Sequence, residues 1–200
     1  MKRNSRIYLI RHGQIEGYEN IPAYGHTDVG LTETGLLQME HMCDRLRLLD
    51  ITAIYSSDLK RSASGAHIIS RHHNVPLHFL PKLREMYFGD WEGMALSQVR
   101  ELYSEELNKR QEDLLNYKIP GGGETISLFA DRVNLCFKRI LSDQQGNDFV
   151  IVGHGGVNRI ILCDALGLDL SRMFNINQDY GCLNIIDYSN DYTLVRLING

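Results

Sequence analysis

The stretch Ile7-Tyr8-Leu9-Ile10-Arg11-His12-Gly13 runs an apolar segment straight into an arginine, a histidine and a glycine, and Phe149-Val150-Ile151-Val152-Gly153-His154-Gly155-Gly156 echoes it far downstream. A short apolar run bounded this way reads as a buried strand. A histidine held at the tip of such a strand, beside an arginine and a glycine, is a candidate nucleophile in an anion pocket. Two matching tips are much stronger evidence than one.

Outward from these tips the chain alternates. Strands are expected at 6–10, 52–56, 76–80 and 148–153, and helices at 33–49, 59–72, 124–142 and 156–166, with helical segments across 95–117. A closing pair of strands near 182–188 and 192–198, joined through Ser189-Asn190-Asp191, reads as an edge hairpin. Such alternation argues for an α/β sandwich built on a mostly parallel sheet. In 124–142 the residues Ile126, Phe129, Ala130, Val133, Phe137, Ile140 and Leu141 follow a 3.6-residue stripe. In 33–49 the stripe is Leu36, Met39, Cys43 and Leu46, behind Thr32 as N-cap.

Composition bounds the setting. The 200 residues, 43% hydrophobic, suit one compact domain with a core on both faces of a sheet. A formal net charge of -4 supplies no basic footprint for nucleic acid or an anionic membrane, so the positive charge that matters must be local. Cys43, Cys136, Cys163 and Cys182 form no CxxC pair and read as buried reduced thiols, which points to the cytoplasm. The start, Met1-Lys2-Arg3-Asn4-Ser5-Arg6, leads into too short an apolar run for a signal segment, which needs at least about 7 residues, or for a membrane span of about 20.

In an open, mostly parallel sheet, ligands bind outside the carboxyl ends of the strands. Three such ends carry chemistry: Arg11-His12-Gly13, Ser56-Ser57-Asp58-Leu59-Lys60-Arg61 and His154-Gly155-Gly156. Guanidinium forks match phosphoryl oxygens and stay charged, so Arg11 and Arg61 read as a phosphate clamp. Two fixed cations would repel a divalent ion, and no HxH or HExxH set accompanies the histidines, so neither metal nor other cofactor is expected. A neutral imidazole can attack phosphorus if its other nitrogen is held by an acceptor, and a carbonyl in the Gly13 turn is the nearest supplier. His12 is the expected nucleophile. His154 would donate to the transferring oxygens, and Gly155-Gly156 would let backbone N–H groups approach the anion. A proton donor for the leaving alcohol is expected in Leu83–Gly93, where spacing alone does not choose among Glu85, Asp90 and Glu92.

Taken together, Arg11-His12-Gly13, Ser56 through Arg61, Leu83-Arg84-Glu85 with Gly89-Asp90-Trp91-Glu92-Gly93, and Gly153 through Gly156 resemble the histidine phosphatase superfamily, the phosphoglycerate mutase-like proteins. The resemblance implies a three-layer α/β/α fold and no metal. It also implies that His12 is phosphorylated, that Arg11, Arg61 and His154 hold the phosphoryl group, and that Glu85 is the acid and base. Within the superfamily, Gln14-Ile15-Glu16-Gly17, Tyr24-Gly25-His26-Thr27-Asp28, Leu31 through Gly35 and Pro120 through Thr125 resemble phosphatases of the α-ribazole type. Gln14, His26 and Gly155 join the clamp as expected substrate contacts. The other histidines, His41, His67, His72, His73 and His78, read as surface or packing residues, and Trp91 as a core anchor.

The expected partner is a small phosphorylated metabolite, α-ribazole 5′-phosphate being one, with no nucleic acid or membrane; monomer and homodimer both stay open. A helical segment around 95–123 reads as a small cap that helps choose the leaving group. Two competitors remain: a phosphoglycerate-type mutase and a phospho-ligand binding module. A mutase needs extra cations, and Arg100, Lys109, Arg110 and Lys118 are scattered. Gly17-Tyr18 also stands where mutase-type relatives usually carry a tryptophan-asparagine pair, and Ser64-Gly65-Ala66 where a threonine-alanine pair is common.

Overall fold

Strand β1 (Ser5–Arg11) sits inside a six-stranded sheet of order β3-β2-β4-β1-β5-β6, in a computed structural model that describes residues 4–20, 23–189 and 191–200. β1 runs parallel to β4 (Asp148–Gly153), β4 to β2 (Ile54–Ser56), and β2 to β3 (Leu77–Phe79). β5 (Leu183–Tyr188) and β6 (Thr193–Leu197) turn antiparallel and close one edge. Asn190 of the expected hairpin, and residues 1–3 of the N-terminal reading, lie outside the described residues.

Alternation along each strand splits the core in two. Tyr8, Ile10, Val150 and Val152 pack on α1 (Glu33–Leu46) and α2 (Lys60–Ile69). Ile7, Leu9, Phe149 and Ile151 face the opposite layer, where Val133 and Phe137 of α5 (Ile126–Asp143) meet Ile160 and Ile161 of α6 (Gly155–Leu166). The result is the three-layer α/β/α sandwich with a mostly parallel sheet and an antiparallel edge. Thr32 and Thr125 cap α1 and α5 through the N–H groups of Gly35 and Leu128.

Several boundaries move for physical reasons. The buried stripe of α1 is Met39, Met42, Cys43 and Leu46, while Leu36 is exposed: the core-facing place in the first turn belongs to Gly35. The expected helix 59–72 ends as an α-helix at Ile69 and finishes as a single 3-10 turn. The region 95–117 holds two short helices, α3 (Leu96–Leu102) and α4 (Ser104–Glu112), and α4 contains no fully buried residue. A 3-10 helix over Leu170–Asn175, capped by Asp169, has no counterpart in the periodicity. Cys43, Cys163 and Cys182 are buried, Cys136 is half-buried, and all are free thiols. Among the described residues no helix is long and apolar enough to cross a membrane.

The β1–β4 register pairs Arg11 with Gly153, so His12 and His154 leave the sheet side by side. The His12 N–H continues the ladder to the Gly153 carbonyl at 3.1 Å. Gly13 then passes so close to α1 that a Cβ there would run into the Gly35 carbonyl oxygen, and a Cβ on Gly35 would strike the Gln14 carbonyl. Backbone cannot retreat as a flexible side chain can. Gly13→Ala is therefore expected to cost about 1–3 kcal/mol, read as a lower urea midpoint at unchanged slope.

Candidate active site

His12 is buried, and its Nδ1 lies 2.8 Å from the Gly13 carbonyl oxygen. A carbonyl only accepts, so Nδ1 carries the proton and Nε2 keeps its lone pair. Burial lowers the pKa of His12 well below the usual imidazole value, and Arg11 and then Arg61 push the same way. The ring is neutral and oriented, a state in which Nε2 can act as a nucleophile.

Arg11, the last residue of β1, donates from Nη1 to the Gln178 carbonyl at 2.6 Å and stacks over the Tyr180 ring at 3.9 Å. Its Nε is buried without a protein partner. Arg61 in the first turn of α2 is only 1% exposed, and carbonyls hold its guanidinium: Thr27 at 2.7 Å, Gly25 at 2.6 Å and Tyr24 at 3.2 Å. That loop is itself organised by Glu92, whose carboxylate accepts from the backbone N–H of His26, Thr27 and Phe88. One carboxylate thus fixes the loop that aims the buried cation.

The His154 Nε2 lies 2.7 Å from the Ser57 hydroxyl, and Ser57 Oγ also accepts from the Leu59 N–H at 3.4 Å. Among the described residues the Ser57 hydroxyl hydrogen has no other acceptor, so it goes to Nε2. The tautomer assigned by this network carries hydrogen on Nδ1, which is buried with no partner. Burial lowers the pKa of His154 well below the usual value as well, helped by Arg61. The two rings meet edge to face at 5.1 Å.

Glu85 approaches from the other side. Its Oε2 accepts from the Gly156 N–H at 2.8 Å, in the first turn of α6, and its Oε1 from the Met86 N–H at 2.9 Å. A Cβ on Gly156 would strike Glu85, which is why the position is glycine.

Arg11, His12, Arg61, Glu85 and His154 all line one cavity of about 160 Å³, which Phe88 and Tyr180 help to close. Beside it, sharing Ala23, Glu85 and Phe88, opens a cavity of about 500 Å³ walled mainly by apolar side chains, among them Trp91, Val99, Leu107 and Phe129. Gly155 sits between Arg11 and Arg159, both within 3.5 Å of where its Cβ would be.

Gln14 and His26 stand around the small cavity without lining it. The Gln14 side-chain oxygen accepts from the Thr32 hydroxyl at 2.8 Å, at the start of α1, and the His26 ring packs on Tyr87 at 5.1 Å. Sequence reasoning missed Tyr180, Ser57 as the partner of His154, and Glu92 as the loop's organiser. Ser57 lay inside a quoted block, whereas nothing in the pattern around Tyr180 marks it.

The model of the histidine phosphatase superfamily (branch 1) matches residues 7–200. The chain belongs to that superfamily. It is 28% identical over 203 residues to the adenosylcobalamin/α-ribazole phosphatase of Escherichia coli (strain K12), covering 97% of this chain and 95% of that one. It is 26% identical over 195 residues to phosphoserine phosphatase 1 of Hydrogenobacter thermophilus, covering 97% and 92%. The crystal structure of the α-ribazole phosphatase from Shigella flexneri superposes with a TM-score of 0.89 at 27% identity, over 98% of this chain and 96% of that one. This histidine phosphatase is accordingly a phosphoric monoester hydrolase.

Two outcomes follow from the buried rings. In histidine NMR titrations, His12 and His154 stay neutral through the ordinary imidazole range near about 6.5, and a transition centred there in either would contradict their burial. In Ser57→Ala the His154 ring shifts toward the Nε2–H tautomer, visible in its nitrogen shifts, and inorganic phosphate binds about tenfold more weakly, with Ser57→Thr restoring both.

Proposed function

We propose that this protein hydrolyses a small phosphate monoester in two steps through phosphorylated His12. The Nε2 lone pair attacks phosphorus in line with the ester oxygen. The P–O bond breaks, Glu85 delivers its proton to the departing alkoxide, and an N–P bond joins the phosphoryl group to His12. Water then attacks phosphorus while the Glu85 carboxylate takes its proton. The N–P bond breaks, inorganic phosphate leaves, and both residues return to their starting states.

Arg11, Arg61 and the Nδ1–H of His154 neutralise the equatorial oxygens throughout. Arg61 and His154 are buried, Arg11 is half-buried, and all three are already oriented, so little reorganisation accompanies the charge shift. The observation that carries the reading is the 2.8 Å bond from His12 Nδ1 to the Gly13 carbonyl, within a cavity lined by two guanidinium groups and a second histidine. Among the described residues, no three His, Cys, Asp or Glu side chains gather as a metal-ligand set. The fixed cations do the work that a metal does elsewhere.

For the substrate, the relatives' names and the large apolar cavity both favour an organic leaving group, and α-ribazole 5′-phosphate is the first compound to try. The free thiols favour a reducing, cytoplasmic setting. A mutase reading gains little support. Lys109 pairs with Glu106 at 2.8 Å on the surface, and of the four cations flagged in 100–118 only Arg110 reaches the apolar cavity. A pure binding module has no need for both His12 and Glu85 in the cavity.

Hydrolysis of 4-nitrophenyl phosphate is expected to be unchanged by chelator and to fall to background in His12→Ala, with acid-labile phosphate trapped on histidine in the unmodified protein. Metal-dependent turnover, or activity that survives His12→Ala, would overturn the reading. Glu85→Gln is expected to slow alkyl esters by about 10²–10⁴-fold and activated aryl esters much less; equal losses would remove Glu85 from the acid role. Turnover of α-ribazole 5′-phosphate beside 3-phosphoglycerate and nucleotides tests the substrate.

A further inference from the structure

The apolar cavity contains one group out of keeping with its walls. Arg110 projects from α4 into it, its Nε fully buried, and among the described residues its side chain makes no hydrogen bond and no ion pair. A buried donor without an acceptor is costly, and a charged one more so.

The nearby charges do not answer it. Glu106 is the residue one helical turn before Arg110 and the usual i,i+4 partner, yet its carboxylate binds Lys109 Nζ and the Tyr117 hydroxyl. Tyr117 is the one group whose charge bears on Arg110, and burial with the bond to Glu106 keeps that phenol protonated. The Trp91 ring lies 5.9 Å from the guanidinium, at the outer limit of a cation–π contact, and offers no acceptor.

The cavity's other arginine is different. Arg159 donates from Nε to the Ile176 carbonyl at 2.8 Å and has the Glu85 carboxylate within electrostatic reach. Among the described residues, Arg110 alone of the cations around the two joined cavities lacks both an anion and a carbonyl.

We infer that Arg110 is an anion subsite for the leaving group, so that the preferred substrate is a phosphomonoester whose alcohol joins an apolar body to a carboxylate. The inference takes from the proposed function only the assignment of the smaller cavity to the phosphoryl group. With that group on Arg11 and Arg61, the rest of the molecule extends past Glu85 along Trp91, Val99 and Phe129, and its far end meets Arg110. A carboxylate there supplies a charge-assisted hydrogen bond to the buried Nε, which now has no partner. A neutral leaving group such as α-ribazole fills the apolar walls but brings no charge to Arg110. A site built around a polar partner discriminates most strongly against ligands that lack it.

The test reads binding, so it does not depend on turnover. His12→Ala is titrated calorimetrically with 4-(carboxymethyl)phenyl phosphate and with the corresponding neutral carboxamide. The carboxylate is expected to bind about tenfold more tightly than the amide. That ratio falls to about one in His12→Ala/Arg110→Met and persists in His12→Ala/Arg110→Lys, which guards against loss of folding as the cause. Equal affinities with Arg110 intact, a preference that survives Arg110→Met, or no binding of either compound overturns the inference. Failure of the hydrolase reading is seen separately, as the inability of the unmodified protein to cleave 4-nitrophenyl phosphate, and leaves the binding ratio to decide this one.

Discussion

The parallel pairing of β1 with β4, in the register that sets Arg11 beside Gly153, is the constraint on which the rest depends. It brings two sequence-distant histidines out of the sheet at the same level, with the ladder continuing one residue further through the His12 N–H. A slip of one residue would turn one apolar set from its own helix layer to the other and part the two rings. The core enforces the register because both faces of these strands are buried: Ile7 and Leu9 against one helix layer, Tyr8 and Ile10 against the other. The spacing of the two strand tips is thus held by hydrophobic burial, while polar contacts orient the side chains they carry.

Burial also sets the electrostatics. Two buried imidazoles with two arginines beside them remain uncharged, which would suit one for attack and leave the other a neutral donor. Holding Arg61 almost wholly buried requires acceptors, and three backbone carbonyls of the 24–27 loop provide them without adding a counter-charge. Its positive charge therefore remains available to an incoming anion. Glu92 performs the complementary task, placing a carboxylate on backbone N–H groups so that the loop keeps its shape. Of the three acids that spacing could not separate, Glu92 is occupied in this way. Asp90 lies against the turn at Gly121, and Glu85 is the one that lines the cavity.

What was legible in the sequence was what local pattern encodes. The strand tips, the helical stripe of α5, the Thr32 cap and the place of Arg61 in the first turn of its helix each depend on residues a few positions apart. The contributions of Tyr180 and Ser57 depend on tertiary approach. Tyr180 reaches Arg11 and His12 only because the segment after α6 crosses the mouth of the site, which no periodicity announces. Leu36 misled for a related reason: a stripe shows which face is apolar, but not that a glycine must occupy the first core position because another backbone passes there.

The molecule divides into a part that cannot change and a part that can. The groups that would hold a phosphoryl group stand at the ends of the central strands and in the first turns of α2 and α6, and next to them Gly13 and Gly156 pack too closely on their neighbours to admit a methyl group. Part of the wall of the larger cavity, through Leu96, Val99, Leu107 and Arg110, comes from α3 and α4, short helices with Val99 as their one fully buried residue. A substitution on α4 therefore removes little core burial, while altering a surface that the departing alcohol would touch. On physical grounds, a chain of this architecture can keep its phosphorus chemistry and exchange its substrate by changing a few residues of that wall. Arg110, charged and unpaired on α4, occupies a position of that kind.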